Sequence, residues 1–197
     1  VVWSTDIISL IFGHRFNGDL HGFQWPTSLE HLTLGYRFNR MVDGVAWPAG
    51  LKQLTFGDEF NKPVERVIWP AGLERLIFGY RFNQSVRRVI WPDRLQQLTF
   101  GHCFNQPINL VQWPSGLRQL TFGHMFNQSI YGVEWPPRLE LLIFGHRFNH
   151  SLDGALWPPR LQQVAFGFYF NQPVDRVTWP GGLKQLSFGH DFNRSME

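Results

Sequence analysis

The chain has 197 residues, 43% of them apolar, and a formal net charge of +3 at neutral pH. That is enough apolar material for one core, and too little charge to call by itself for nucleic acid or a membrane surface. A single cysteine, Cys103, excludes an internal disulfide, and no apolar run reaches the ~18 residues that cross a bilayer.

All nine Trp stand 22 residues apart, at Trp3, Trp25, Trp47, Trp69, Trp91, Trp113, Trp135, Trp157 and Trp179. A fixed period of this length marks a solenoid, in which each repeat is one coil stacked on its neighbours. Residues 1–197 therefore read as one repeat domain of nine coils, each beginning at its Trp, the last incomplete. No insertion breaks the register. A coil of 22 residues leaves little room for a capped helix, which needs ~8 or more residues. The expected fold is an all-β parallel β-solenoid with little or no α-helix.

Positions within a coil are counted from Trp as position 1. Pro follows Trp in eight coils, and Ser4 is the exception. Positions 5, 8 and 10 are Leu, Leu and Phe with few departures, as in Leu73, Leu76 and Phe78. The end of that segment alternates, position 8 inward, 9 outward and 10 inward, which is strand periodicity. Thr and Ile dominate position 9, and Gln recurs at position 7 in Gln53, Gln97, Gln119, Gln163 and Gln185. Identical strands in successive coils should pair in register as a parallel sheet, about 4.8 Å per coil.

Gly fills position 11 in every coil. It marks either a positive φ or a place where a Cβ would collide. Phe fills position 14 throughout, so that 17 of the 19 Phe occupy positions 10 and 14. Asn fills position 15 in all nine coils, as Asn17, Asn39, Asn61, Asn83, Asn105, Asn127, Asn149, Asn171 and Asn193. An inward Asn repeated in this way satisfies backbone groups that a turn leaves unpaired, so these residues are expected to form a buried structural ladder. The glycosylation triplets beginning at Asn83, Asn127, Asn149 and Asn193 are then by-products of the repeat. Positions 18 and 21 are apolar, and a second strand is expected over positions 21, 22 and 1, with 22 outward and Pro ending it.

The run F-G-x-x-F-N-x-P-(V/I), present as 56–64, 100–108 and 166–174, resembles the FNIP repeat, a 22-residue relative of the leucine-rich repeat. The resemblance covers essentially the whole chain, with Trp-Pro standing where the family usually has Leu-Pro. It implies a leucine-rich-repeat-like solenoid used for protein interaction, with no catalytic motif and no cofactor to carry over. It also favours an intracellular setting, as does the lack of disulfides.

In a solenoid the invariant columns hold the coil and the variable exposed columns meet the partner. Positions 12 and 13 carry the most chemistry. The candidate partner-binding stripe is Arg15, Tyr36, Arg37, Tyr80, Arg81, His102, His124, Met125, His146, Arg147, Phe168 and Tyr169, residue types enriched at contact surfaces. The alternative is an ordinary solvated turn with tolerant composition. His102, His124 and His146 fall in consecutive coils beside Cys103. Imidazoles at coil spacing can reach a metal, but no carboxylate joins them, and an exposed His ladder with no metal is the expectation. Asp58, Glu59 and Asp191 interrupt the basic rows, which argues against nucleic acid, and no nucleophile–base pair or phosphate loop indicates an enzyme. Another protein is the expected partner. The first and last coils carry open apolar patterns, so the chain is expected either to continue or to associate end to end with other copies into a rod or fibre.

Overall fold

A computed structural model describes residues 3–195. Nine three-residue strands occupy positions 7 to 9 of the nine coils: β1 (Ser9–Ile11), β2 (His31–Thr33), β3 (Gln53–Thr55), β4 (Arg75–Ile77), β5 (Gln97–Thr99), β6 (Gln119–Thr121), β7 (Leu141–Ile143), β8 (Gln163–Ala165) and β9 (Gln185–Ser187). They form one parallel sheet in chain order. The register is that of the repeat, with Leu54 opposite Leu76 and Leu76 opposite Leu98. No helix occurs among the described residues.

The strand is shorter than its apolar pattern, but the ladder reaches past it. The N–H groups of Lys52 and Gln53 both donate to the Glu30 carbonyl, and Phe56 N–H donates to the Ile77 carbonyl of the next coil. Three tight turns complete a coil: Leu73 N–H donates to Pro70, Phe82 to Gly79 and Val89 to Val86. Pro suits the first of these because its own missing N–H is not needed there.

The expected second strand at positions 21, 22 and 1 is not formed. Among the described residues no backbone hydrogen bond passes between coils at those positions. The N–H of position 21 is spent inside its own coil, closing the turn from position 18. The inward and outward facing survives without the strand: Val67 and Val89 are buried while Ile68 and Ile90 face water.

Columns of like side chains fill the interior. Phe38, Phe60, Phe82, Phe104, Phe126, Phe148 and Phe170 are fully buried, and successive rings such as Phe60 and Phe82 lie 6.0 Å apart, nearly parallel. Phe78 stacks on Phe82 at 3.9 Å within one coil and meets Trp69 edge-on at 6.4 Å. Trp69 and Trp91 are direct neighbours at 6.3 Å. Each buried Phe contributes roughly 1.5–3 kcal/mol from area alone, and offset or edge contacts add to it. Trp25 donates its indole N–H to the Ala46 carbonyl at 2.9 Å. From Trp47 to Trp157 the indole N–H is buried without a partner.

Of the two readings of Gly at position 11, close approach is the correct one. A Cβ added at Gly101 would overlap the carbonyl oxygen of Gly79, and the same holds along the column from Gly35 to Gly189. Positive φ belongs to a different column, position 20, at Gly22, Gly44, Gly132 and Gly154. There Gly is third in the 18–21 turn, where a left-handed residue is favoured. Arg66, Arg88, Leu110 and Arg176 hold the same position with negative φ, so the turn changes type along the chain.

Candidate interaction surfaces

The Asn ladder is present, with different surroundings from those expected. Each Oδ1 accepts the backbone N–H of the next Asn, from Asn17 to Asn39 at 3.0 Å through Asn171 to Asn193 at 3.1 Å. Gln84, Gln106, Gln128 and Gln172 at position 16 add a second donor to the Asn of the preceding coil. None of these Asn is buried: Asn39, Asn83, Asn105 and Asn171 are half-buried and the other five are exposed. Position 15 follows the inward Phe and sits at the rim of the coil, so its side chain lies along the stack and not under it. Burial therefore gives no reason to exclude the glycosylation triplets at Asn127, Asn149 and Asn193.

Positions 12 and 13 form one column at the surface, exposed toward both ends and half-buried in coils five and six. Its backbone is fastened coil to coil: Arg37 N–H donates to His14, Cys103 to Tyr80, Met125 to His102, Arg147 to His124 and Tyr169 to His146. The position 12 rings stack on one another, His14 on Tyr36 at 4.5 Å, Tyr80 on His102 at 4.3 Å, His102 on His124 at 4.5 Å and Phe168 on His190 at 4.6 Å. Asp58 interrupts the rings, and its carboxylate accepts Tyr80 N–H at 3.3 Å. Ring edges, not faces, thus meet the solvent. Tyr36, Tyr80, Phe168 and Tyr169 are exposed large side chains, Arg15, Arg37, Arg81, His146 and Arg147 are exposed, and His102, His124 and Met125 are half-buried.

His124 is the most constrained member of this column. Its Nδ1 is buried with no hydrogen-bond partner. Desolvation, and then the nearby His102, His146 and Arg147, hold its pKa below the ordinary imidazole value. His146 meets it edge-on at 4.5 Å. Among the described residues no three His, Cys, Asp or Glu side chains group as metal ligands.

Other columns fasten coils from outside. At position 6, Lys52 binds Glu30 and Arg118 binds Glu140, each at 2.7 Å. At the first corner, His21 Nδ1 meets the Asp19 carboxylate, and Nε2 meets the Asp43 carbonyl of the next coil at 2.8 Å. Both partners are acceptors, so the doubly protonated ring fits this site, and these bonds raise the His21 pKa.

One surface is absent from the stripe picked out by sequence. Ile68 and Ile90 stand exposed in consecutive coils and border an open furrow of about 470 Å³. Its signal was present: the string R-V-I-W-P at 66–70 and again at 88–92 puts Ile at an outward position.

The FNIP Repeat family model matches at residues 38–81, 60–103 and 82–125. No curated protein sequence matches the chain. A solved structure described as CroV588, a novel circular LRR protein, matches with a TM-score of 0.87 and 32% identity, over 98% of this chain and 32% of that one. The chain thus spans about a third of that protein's length. A leucine-rich repeat protein from Bacteroides ovatus matches at 13% identity over 83% of this chain and 51% of that one, with a TM-score of 0.27. The repeat strings, the nine-strand register and the family match agree: residues 38–125 carry FNIP repeats, within a leucine-rich-repeat-like β-solenoid fold.

Proposed function

We propose that this chain is a non-catalytic protein-interaction scaffold whose principal contact face is the column at positions 12 and 13. One observation carries the reading. The buried columns repeat the same residue from coil to coil, whereas positions 12 and 13 change chemistry at nearly every coil while their backbone stays hydrogen-bonded. A fixed frame carrying variable columns at its surface is the arrangement by which solenoids present an extended binding surface. Tyr, Met and Arg in that column are the residue types enriched at protein contacts. The partner in this reading is another protein. Asp58, Glu59 and Asp191 break the run of positive charge that a nucleic acid would need, and no reaction is assigned to the open row of ring edges.

The test replaces Tyr36, Tyr80 and Phe168 together by Ala and compares partner capture from native lysate with that of the unaltered chain. Loss of the captured proteins, with an unchanged thermal melt, supports the face. Capture of the same proteins in the same amounts rejects it.

A second reading is end-to-end association of copies into a longer rod. It is favoured by the complementarity of the end coils. The pattern that has Glu30 and His31 donate to Ile8 leaves the N–H groups of Ile8 and Ser9 at one end and the Lys184 carbonyl at the other. In a longer chain a further coil takes these groups. Sedimentation over a range of concentrations separates the two readings, since a strict monomer at high concentration removes the second.

A further inference from the structure

Asn17 opens the Asn ladder, and the residue after it sets it apart from every other rung. The remaining ladder Asn are followed by Arg, Lys, Gln or His, and Asn17 alone precedes Gly. The backbone nitrogen of a residue can close a five-membered ring on the side-chain carbonyl carbon of a preceding Asn. A side chain on the attacking residue hinders that closure, and Gly18 has none.

The neighbouring coil favours the same step. Asn39 N–H donates to Asn17 Oδ1 at 3.0 Å. That oxygen gains negative charge when Cγ is attacked, and a donor already in place stabilises it. Arg40 Nε donates to the Asn17 backbone carbonyl oxygen at 3.0 Å. This carbonyl is conjugated with Gly18 N, so a cationic donor on it draws density from the nitrogen and makes its proton easier to remove. Gly18 N–H and Asn17 Nδ2 have no hydrogen-bond partner among the described residues, and Asn17 is exposed to water. Asn171 provides the comparison within the chain. Its Oδ1 accepts Asn193 N–H at 3.1 Å and its backbone carbonyl accepts Arg194 Nε at 2.9 Å, but Gln172 follows it.

We propose that Asn17 is a self-modifying site, at which Gly18 N attacks Cγ and turns the side-chain amide into aspartate and isoaspartate. Gly18 N loses its proton to a solvent base. The N–Cγ bond forms, the Cγ–Nδ2 bond breaks, and Nδ2 leaves with a proton as ammonia. Water then opens the cyclic imide. Cleavage of the new N–Cγ bond gives aspartate, and cleavage of the original backbone C–N bond gives isoaspartate. Water enters, ammonia leaves, and nothing is oxidised or reduced. Aspartate keeps an acceptor for Asn39 N–H. Isoaspartate lengthens the main chain by one carbon, roughly 1.5 Å, and displaces that rung. The first coil is thereby loosened from the second, beside the corner where His21 reaches the Asp43 carbonyl at 2.8 Å.

The test holds the full chain, folded, at neutral and at mildly alkaline pH and follows it by tryptic peptide mass mapping. In the expected result, peptide 16–37 gains the mass difference between OH and NH2 in two chromatographically separate products. Conversion is faster at the higher pH, because the nucleophile is the deprotonated amide. Peptide 161–176, which carries Asn171, stays unchanged, and Asn39 N–H loses hydrogen-exchange protection in the isoaspartate fraction. Asp43 and Asp153 also precede Gly, but their isomerisation leaves the mass unaltered. Gly18→Gln installs the residue that four other coils carry at this position and should slow Asn17 to the rate of Asn171, with a thermal melt confirming the fold. Three results overturn the proposal: Asn17 intact while a free peptide of residues 14–21 converts under the same conditions, equal conversion of Asn17 and Asn171, or an unchanged rate in folded Gly18→Gln. The comparison of Asn17 with Asn171 is made inside one molecule and decides the matter even if that variant does not fold.

Discussion

The backbone N–H of Asn105 donates to Oδ1 of Asn83 at 2.9 Å, and Gln106 Nε2 reaches the same oxygen at 3.0 Å. One side-chain atom therefore closes two donors of the next coil, at a height where the sheet ladder does not extend. Replacing Asn83 by Ala leaves the half-buried Asn105 N–H unpaired, at an expected cost of about 1–2 kcal/mol. Asn83→Asp keeps an acceptor in place and should recover most of that loss. Urea unfolding of the three proteins checks this. An Ala variant as stable as the parent removes the ladder from the forces that hold coils together.

The glycine column makes a paired prediction. Gly101→Ala drives a methyl group into the Gly79 carbonyl oxygen, and only backbone movement relieves that overlap. The expected loss is at least ~3 kcal/mol, beyond the usual range of a surface substitution. At Gly13 the same change meets nothing within 4 Å and should stay within about 0.5 kcal/mol. Melting curves of the two variants decide the matter, because equal effects would mean that loss of glycine flexibility, and not close approach, governs the column.

Two histidines should respond to pH in opposite directions. The His21 pKa is raised, first by its hydrogen bond to Asp19 and then by the Asp43 carbonyl. Its contribution is complete below the ordinary imidazole value near ~6.5 and is lost as pH rises through the raised folded value. The His124 pKa is lowered by desolvation and then by the nearby His102, His146 and Arg147. There the unfolded chain binds the proton more readily, so stability is complete above ~6.5 and declines as pH falls toward the folded value. Hydrogen exchange from about pH 5 to about pH 8 should show the first corner loosening at the alkaline end and the coils around His124 loosening at the acid end. Asp19→Asn should abolish the first trend and His124→Gln the second. Imidazole titration by NMR in which both residues keep ordinary values would refute this account.

The fold was legible because its information is periodic. The Trp spacing specifies the coil, and the alternation around Leu76 and Phe78 specifies which side chains turn inward. Stacking like on like then requires no long-range guess, since the partner of every residue is the residue 22 places away. The position 12 and 13 column was legible as lying at the surface for the same reason, but the half-burial of His102, Cys103, His124 and Met125 was not. The stacking of Tyr80 on His102, which turns ring faces into ring edges, was not: it depends on rotamers chosen against the neighbouring coil.

Sequence alone determined the period, the parallel register, the buried Phe and Leu columns and the identity of the ladder residue, all consequences of repetition along one axis. Tertiary structure decided what happens across that axis. It placed the Asn column at the rim and not in the core, removed the second strand by spending the Val67 and Val89 N–H groups in turns, and assigned Gly101 to close packing. It also aligned Ile68 with Ile90 over the Trp edge. These outcomes depend on how far each turn carries the chain before the next coil closes over it. Spacing is written in the sequence, but the distance between neighbouring surfaces exists only once the coils are stacked.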